Sequence, residues 1–331
     1  MQKARKHLLK SVNLTLLVQP KKKTAVKKDL SRSYNEFKQF EGRQYTGMAI
    51  GRSHHWDYDA GDWKETKITP DLWEISYAVM LAYLNSVMAK QGKIYIGTSG
   101  WHYKHWIGTF YPEGTKDSDQ LQHFVKTFHT VELNNSFYRL PTKETFETWR
   151  KAVPKEFVFA VKGSRYITHL KKLKIDKNAI NEFFQHANHL KEKLGPILFQ
   201  LPPRWKTNKE RLAEFLAFLP KEYRLTFEFR DQTWYNDSVY DLLKKYNCAF
   251  CIYELAGHLS PMITTADFVY IRLHGPGDKY KGSYTKAILR KWAERCQTWA
   301  KEGKDVYVYF DNDQLGYAAF NAEELITLLN S

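Results

Sequence analysis

Charged and imidazole side chains recur at the ends of short apolar segments between Ile94 and Asp311. Ser99 and Trp101 follow the first segment, and Glu132 and Asn134 close the second. Lys162, then Gln200, then Glu228 with Arg230 end the next three. Arg272 with His274, and Asp311 with Asn312, end the last two. Two carboxylates suit general acid–base work, and an imidazole moves protons near neutral pH. Glu132, Glu228 and His274 are therefore the catalytic candidates. Guanidinium forks bind carboxylate or phosphate in bidentate fashion, and a lysine adds a point charge. Lys162, Arg230 and Arg272 would hold an anion, while Ser99, Asn134, Gln200, Asp311 and Asn312 orient it and Trp101 stacks on it. The expected substrate is a small anionic molecule, phosphorylated or sugar-containing. A hydrolase, lyase or isomerase would fit. The competing explanation is structural: buried charges cost several kcal/mol each unless paired, so the set could neutralise itself inside a core.

Such a ring needs strands that deliver their ends to one place. Eight segments do so: 94–99, 130–135, 157–162, 196–201, 225–229, 249–254, 268–273 and 306–310. Each is short, β-branched or aromatic, and bounded by turn residues. Side chains two apart on a strand share a face, so Glu132 with Asn134, Glu228 with Arg230, and Arg272 with His274 point the same way. Between the strands, apolar residues fall at helical spacing: Leu121, Phe124, Val125, Phe128; Ile180, Phe183, Phe184, Ala187, with Gly195 as the stop. Leu212, Phe215, Leu216, Leu219 follow a capping box Thr207-x-x-Glu210. Val239, Leu242, Leu243, Tyr246 and Ile288, Leu289, Trp292, Trp299 continue the pattern, and Asn321-x-x-Glu324 reads as the cap of a last helix. The stretch between strands six and seven, with Pro261, lacks a helix. Strands alternating with helices give an α/β class, and eight of them a (β/α)8 TIM barrel with its site at the carboxyl ends of the strands.

The loop His274-Gly-Pro-Gly277 follows strand seven, a favoured phosphate position in this fold. Trp101, Tyr103, Trp106, Phe137, Tyr138, Trp205, Trp234 and Tyr235 crowd the same end, either to stack on rings or to pack the loops. Glu132, Glu228, His274 and Asp311 could converge on a metal, but no HExxH-like spacing appears, and neither a metal nor a cofactor is assigned.

The chain has 331 residues with 51 basic and 36 acidic side chains, for a net charge of +15. Residues 1–92 hold 16 basic and 9 acidic residues, with Lys21, Lys22, Lys23, Lys27 and Lys28 as the main cluster. This asymmetry supports an alternative function, a nucleic-acid-binding or metal-dependent nucleic-acid-processing protein. The cluster equally suits a solvated tail. Residues 1–45 lack apolar periodicity and read as mobile. His54, His55, Asp57, Asp59 and Asp62 surround Gly61, where aspartates more often form turns, and alternation from Trp73 to Val79 reads as a strand. Residues 1–92 are expected to be an N-terminal extension to a barrel over 93–331, with Met88 resembling a second start. Neither a secretory signal nor a membrane span is expected, which favours the cytoplasm. Cys248, Cys251 and Cys296 form no framework and read as buried thiols of a reducing compartment.

The motifs together resemble one family. Ile96-Gly-Thr-Ser-Gly-Trp101 with Trp106 and Phe110-Tyr-Pro112 is similar to the opening signature of the YecE-like proteins, a domain family of unknown function. Val131-Glu-Leu-Asn-Asn-Ser-Phe-Tyr138, Phe159-Ala-Val-Lys162 with His169, and Leu198-Phe-Gln-Leu-Pro-Pro203 match the next signatures. Phe227-Glu-Phe-Arg230 with Trp234, Tyr270-Ile-Arg-Leu-His-Gly275, and Tyr309-Phe-Asp-Asn-Asp313 with Asn321-Ala322 match the rest. The resemblance covers about residues 93–330 and implies a TIM barrel. It implies no catalytic residue. Strand six departs from it, with Glu254 where an aspartate is expected.

Overall fold

The computed structural model describes residues 91–330, together with the backbone of Arg52–Asp57 and Asp62–Lys67. The chain separates into two compact units, Met1–Met88 and Ala89–Ser331. In the first, Arg52–Asp57 pairs antiparallel with Asp62–Lys67, running from Arg52 opposite Lys67 to Asp57 opposite Asp62. The turn expected around Gly61 lies outside the described residues. The basic stretch 1–45 and the expected strand from Trp73 to Val79 lie outside the described residues.

In the second unit, eight strands form: β1 (Ile94–Thr98), β2 (Thr130–Leu133), β3 (Val158–Lys162), β4 (Leu194–Gln200), β5 (Leu225–Glu228), β6 (Ala249–Leu255), β7 (Phe268–Leu273) and β8 (Asp305–Phe310). Neighbours among these eight all pair parallel, in the order β1-β8-β7-β6-β5-β4-β3-β2. A parallel bridge between Ser99 and Glu132 joins the two ends, so the expected barrel forms and closes at its site-bearing rim. Gly97 permits that seam. A Cβ there would lie 2.2 Å from the Thr130 carbonyl oxygen, closer than any side chain tolerates.

Eight helices follow: α1 (Gln120–Phe124), α2 (Asn135–Tyr138), α3 (Lys143–Ala152), α4 (Lys177–Ala187), α5 (Lys209–Phe218), α6 (Asp237–Lys245), α7 (Lys286–Lys301) and α8 (Tyr317–Asn330). Side chains of Thr142, Asp176, Asn208, Asn236 and Thr285 accept from the first-turn amides of α3 to α7, as N-caps should. Three expectations shift. The cap of α5 is Asn208, one residue beyond Thr207. Gly195 does not stop α4 but lies in β4, after a 3-10 turn. Asn321 lies inside α8 and ties that helix to a loop. As expected, no helix joins β6 to β7; a two-residue strand, His258–Leu259, folds back on β6 instead.

Period-2 alternation divides the apolar residues between two cores. Outward-facing residues such as Val131, Phe159, Phe199, Phe227, Ile252 and Ile271 pack beneath the helices. Inward-facing residues plug the barrel: Ala160, Leu198, Cys251, Tyr270, Tyr307 and Tyr309. A barrel of this kind is filled, not a pore. The aromatic plug gives the polar rim above it a dry floor. The three cysteines are buried free thiols. Among the described residues, no helix is long and apolar enough to cross a membrane.

Candidate functional site

Arg272 is the hub. It follows Tyr270 on the inner face of β7 and is 1% exposed. Its Nε donates to Glu132 Oε2 at 3.0 Å and its Nη2 to Glu132 Oε1 at 2.7 Å. Nη2 also reaches Ser99 Oγ and Asp311 Oδ2, each at 3.1 Å. Nη1 donates to Glu228 Oε2 at 2.9 Å and faces His274 Nε2 at 3.2 Å. All three guanidinium nitrogens are thus engaged by protein. The donors of Arg272, expected to face a substrate, are thus taken by side chains of the barrel.

The carboxylates are similarly saturated. Glu132, on β2 and fully buried, accepts from the Ser99 hydroxyl, from Tyr270 Oη at 2.6 Å and from Arg272. Glu228, at the end of β5, accepts from Arg230 Nε, from Gln200 Nε2 at 2.8 Å and from Arg272. Burial pushes the Glu228 carboxyl up, but Arg230 and Arg272 outweigh it and hold the group well below the usual range. Asp311 balances burial against a hydrogen bond from His274 and the charge of Arg272, and is also held low. Both are ionised at neutral pH and poorly suited to donating a proton.

His274, fully buried, faces guanidinium donors through Nε2: Arg272 and, at 3.0 Å, Arg230. Nε2 must therefore accept, and Nδ1 carries the proton that it shares with Asp311 Oδ2 at 2.9 Å. Burial and the neighbouring Arg272 push the imidazole down to about 4, so it is neutral near pH 7. Proton transfer through Nε2 would require a guanidinium to move away.

Two cations keep donors in reserve. Arg230 stacks over Tyr253 at 4.7 Å and uses Nε and Nη2; its Nη1 has no partner among the described residues. Lys162 is 9% exposed at the end of β3; its carbonyl accepts from the Ser136 hydroxyl at 2.7 Å, but its ammonium has neither a hydrogen bond nor an ion pair among the described residues. Its Nζ sits 4.5 Å from the ring centre of Phe137. Burial, then Arg272, pulls its ammonium down to about 8 against the pull of Glu132 and Glu228. Beside it, Asn134 Nδ2 donates to Ser99 Oγ at 2.5 Å, while its Oδ1 is buried without a partner.

Ser99, Glu132, Asn134, Lys162, Gln200, Glu228, Arg230, Arg272, His274 and Asp311 thus meet at the mouth. Trp101 and Asn312 do not join them. Trp101 packs edge-on to Trp149 of α3 at 5.3 Å. Asn312 faces away from Asp311 and binds the Gly282 carbonyl and Asn321 Oδ1. Among the mouth aromatics, Trp106 and Trp234 are fully buried in the outer core, and Tyr138 is 79% exposed.

The loop after β7 lies beside His274, and three of its amides are engaged within the protein. The amides of Gly275, Lys281 and Gly282 are taken by Tyr284 Oη, the Asp278 carbonyl and Gln314 Oε1. Tyr280, held at φ 60, places its ring 5.4 Å from that of His274. The sequence places Tyr280 in the loop after strand seven and Asp313 at the end of the last segment, without a site role for either. Asp313 accepts from Trp106 Nε1 at 2.6 Å, and burial raises its carboxyl to about 6. Tyr270 was within reach, since it shares its face with Arg272 two residues on.

A family model described as "Protein of unknown function DUF72" matches residues 95–331. The UPF0759 protein YunF of Bacillus subtilis (strain 168) is 27% identical over 274 residues, 72% of this chain and 95% of that protein. A solved DUF72 family protein from Thermotoga maritima MSB8 superposes with a TM-score of 0.67 at 29% identity, covering 72% of this chain and 100% of that one. Another, from Enterococcus faecalis V583, shares the fold at 22% identity and a TM-score of 0.60, covering 73% and 99%. Matched from its first barrel strand to its last residue, the chain belongs to the DUF72 family.

Proposed function

We propose that the barrel is an enzyme acting on a small anionic molecule at its carboxyl-end mouth. One observation carries this reading: Arg230 and Lys162, side by side with a saturated ionic network, keep unused donors. A network built for stability alone would gain little from them, because well-packed apolar residues often replace buried ion pairs without loss. Glu132, Glu228 and Arg272 set the field and fix neighbouring groups. Asn134 and Gln200 flank the anion, and His274 with Asp311 anchors the guanidinium of Arg230. The motifs from Ile96 to Asn321 support a YecE-like member within the family.

The test is calorimetric titration with inorganic phosphate and with small carboxylates. Arg230→Met should weaken binding by about 10- to 100-fold, the ~1.5–3 kcal/mol of a charge-assisted hydrogen bond. Cooperative unfolding should persist, since Glu228 retains Gln200 and Arg272. Equal affinity in the variant would remove the anion site.

A further inference from the structure

We propose that Lys162 is a nucleophile whose Nζ forms an imine with the carbonyl carbon of a small substrate that also carries an anionic group. The inference rests on the anion-binding reading above and names its substrate class: a 2-oxo acid or a carbonyl phosphate. Lys162 shares the inner face of β3 with Ala160 of the barrel plug, so its side chain runs up the interior. It is nine-tenths buried, yet every other charged group of the network is paired and it is not. Its Nζ is absent from the sealed polar atoms that lack partners, so it keeps some accessible surface. An unpaired ammonium in such a place has no structural purpose that a hydrocarbon would not serve better.

The surroundings suit imine chemistry. Val161 pairs with Leu133, which sets Lys162 next to Asn134 in register. The orphaned Oδ1 of Asn134 can accept a hydrogen bond from the carbinolamine hydroxyl or the iminium N–H. β3 and β5 flank β4, so their backbones run about two strand spacings of ~4.8 Å apart, and the long side chains of Lys162 and Arg230 close that gap from the two sides of the same mouth. Burial also leaves a useful fraction of neutral amine near pH 8, as nucleophilic lysines require. In the step, the Nζ lone pair attacks the carbonyl carbon and the oxygen takes a proton. The carbinolamine then expels water as the C=N bond forms. Protons exchange with solvent, and neither oxidant nor reductant is consumed.

The test incubates the full chain at pH 8 with pyruvate in one arm and dihydroxyacetone phosphate in the other, adds sodium borohydride, and maps adducts by peptide mass spectrometry. Borohydride delivers hydride to the imine carbon and fixes the adduct. Labelling of Lys162 should exceed that of exposed lysines at least tenfold, in the arm whose anion fits, and vanish in Lys162→Arg and Lys162→Met. No adduct on Lys162 in either arm, or labelling equal to that of exposed lysines, overturns the proposal. Phosphate titration of the same samples separates the two readings. Retained phosphate binding without an adduct removes only the nucleophile, whereas absent phosphate binding removes the anion site as well.

Discussion

Lys162 and Arg272 are both cations inside the same barrel, and their energetic roles are opposite. Arg272 engages three carboxylates, so truncating it would strand buried charges at a cost of about 3–5 kcal/mol. Lys162 engages none, so its burial is a cost that the fold bears. Its folded pKa of about 8 lies below the ordinary 10.5. Between those values the unfolded chain holds the proton and the folded chain does not. Stability therefore rises with pH through that window, and the penalty is fully present below pH 8. Lys162→Met should raise the unfolding free energy near pH 7 by up to ~3 kcal/mol, with the gain fading toward pH 10.5. Urea melts at three pH values check this. A destabilised variant would mean that the ammonium has a partner. Parity alone placed Glu132, Glu228 and Arg272 on the inner face. It could not show that their donors and acceptors are already engaged, because occupancy depends on partners more than 40 residues away in sequence.

Among the elements, strands were easier to read than helix ends. A buried parallel strand is a continuous apolar run, and all eight lie within about two residues of expectation. Helix boundaries depend on which of several polar residues wins the cap, and at α5 Asn208 wins over Thr207. α3 escaped notice because Phe146, Trp149 and Ala152 are its few apolar anchors in an otherwise polar segment. The loop after β7 looked like a phosphate cradle from its glycines, but the amides of Gly275, Lys281 and Gly282 serve the protein. Gly275 shows how tightly that loop is set. At φ 109, a Cβ there would meet the Lys281 carbonyl oxygen at 2.2 Å. Gly275→Ala should therefore shift residues 275–284 and pull Tyr280 from His274, at a strain of about 1–3 kcal/mol. Phosphate affinity should fall more than barrel stability, because the loop lies outside the strand ladder. Side-by-side calorimetry and thermal melts decide it; unchanged affinity with a large loss of stability would make the loop structural.

At the scale of the molecule, two functions compete, and they belong to different parts of the chain. The basic cluster Lys21–Lys28 belongs to the first unit, and the ionic ring to the second. The Thermotoga maritima relative is matched over 100% of its length by 72% of this chain, so a barrel of this family folds without a counterpart to the first unit. Residues 89–331 expressed alone should therefore melt cooperatively within about 3 °C of the full chain, the shift that ~1 kcal/mol produces at this size. They should also bind phosphate within about twofold of it, a difference below ~0.4 kcal/mol. If the full chain binds DNA or RNA, that binding should weaken steeply between low and physiological salt and disappear with residues 1–88, because five clustered lysines leave with them. Small-anion binding at a partly enclosed guanidinium should respond far less to salt, since little solvent screens it. Loss of phosphate binding on deletion would show that the mouth needs the first unit. Nucleic-acid binding kept by the barrel alone would move the electrostatic argument from the extension to the barrel surface and make the ring a feature of a different site.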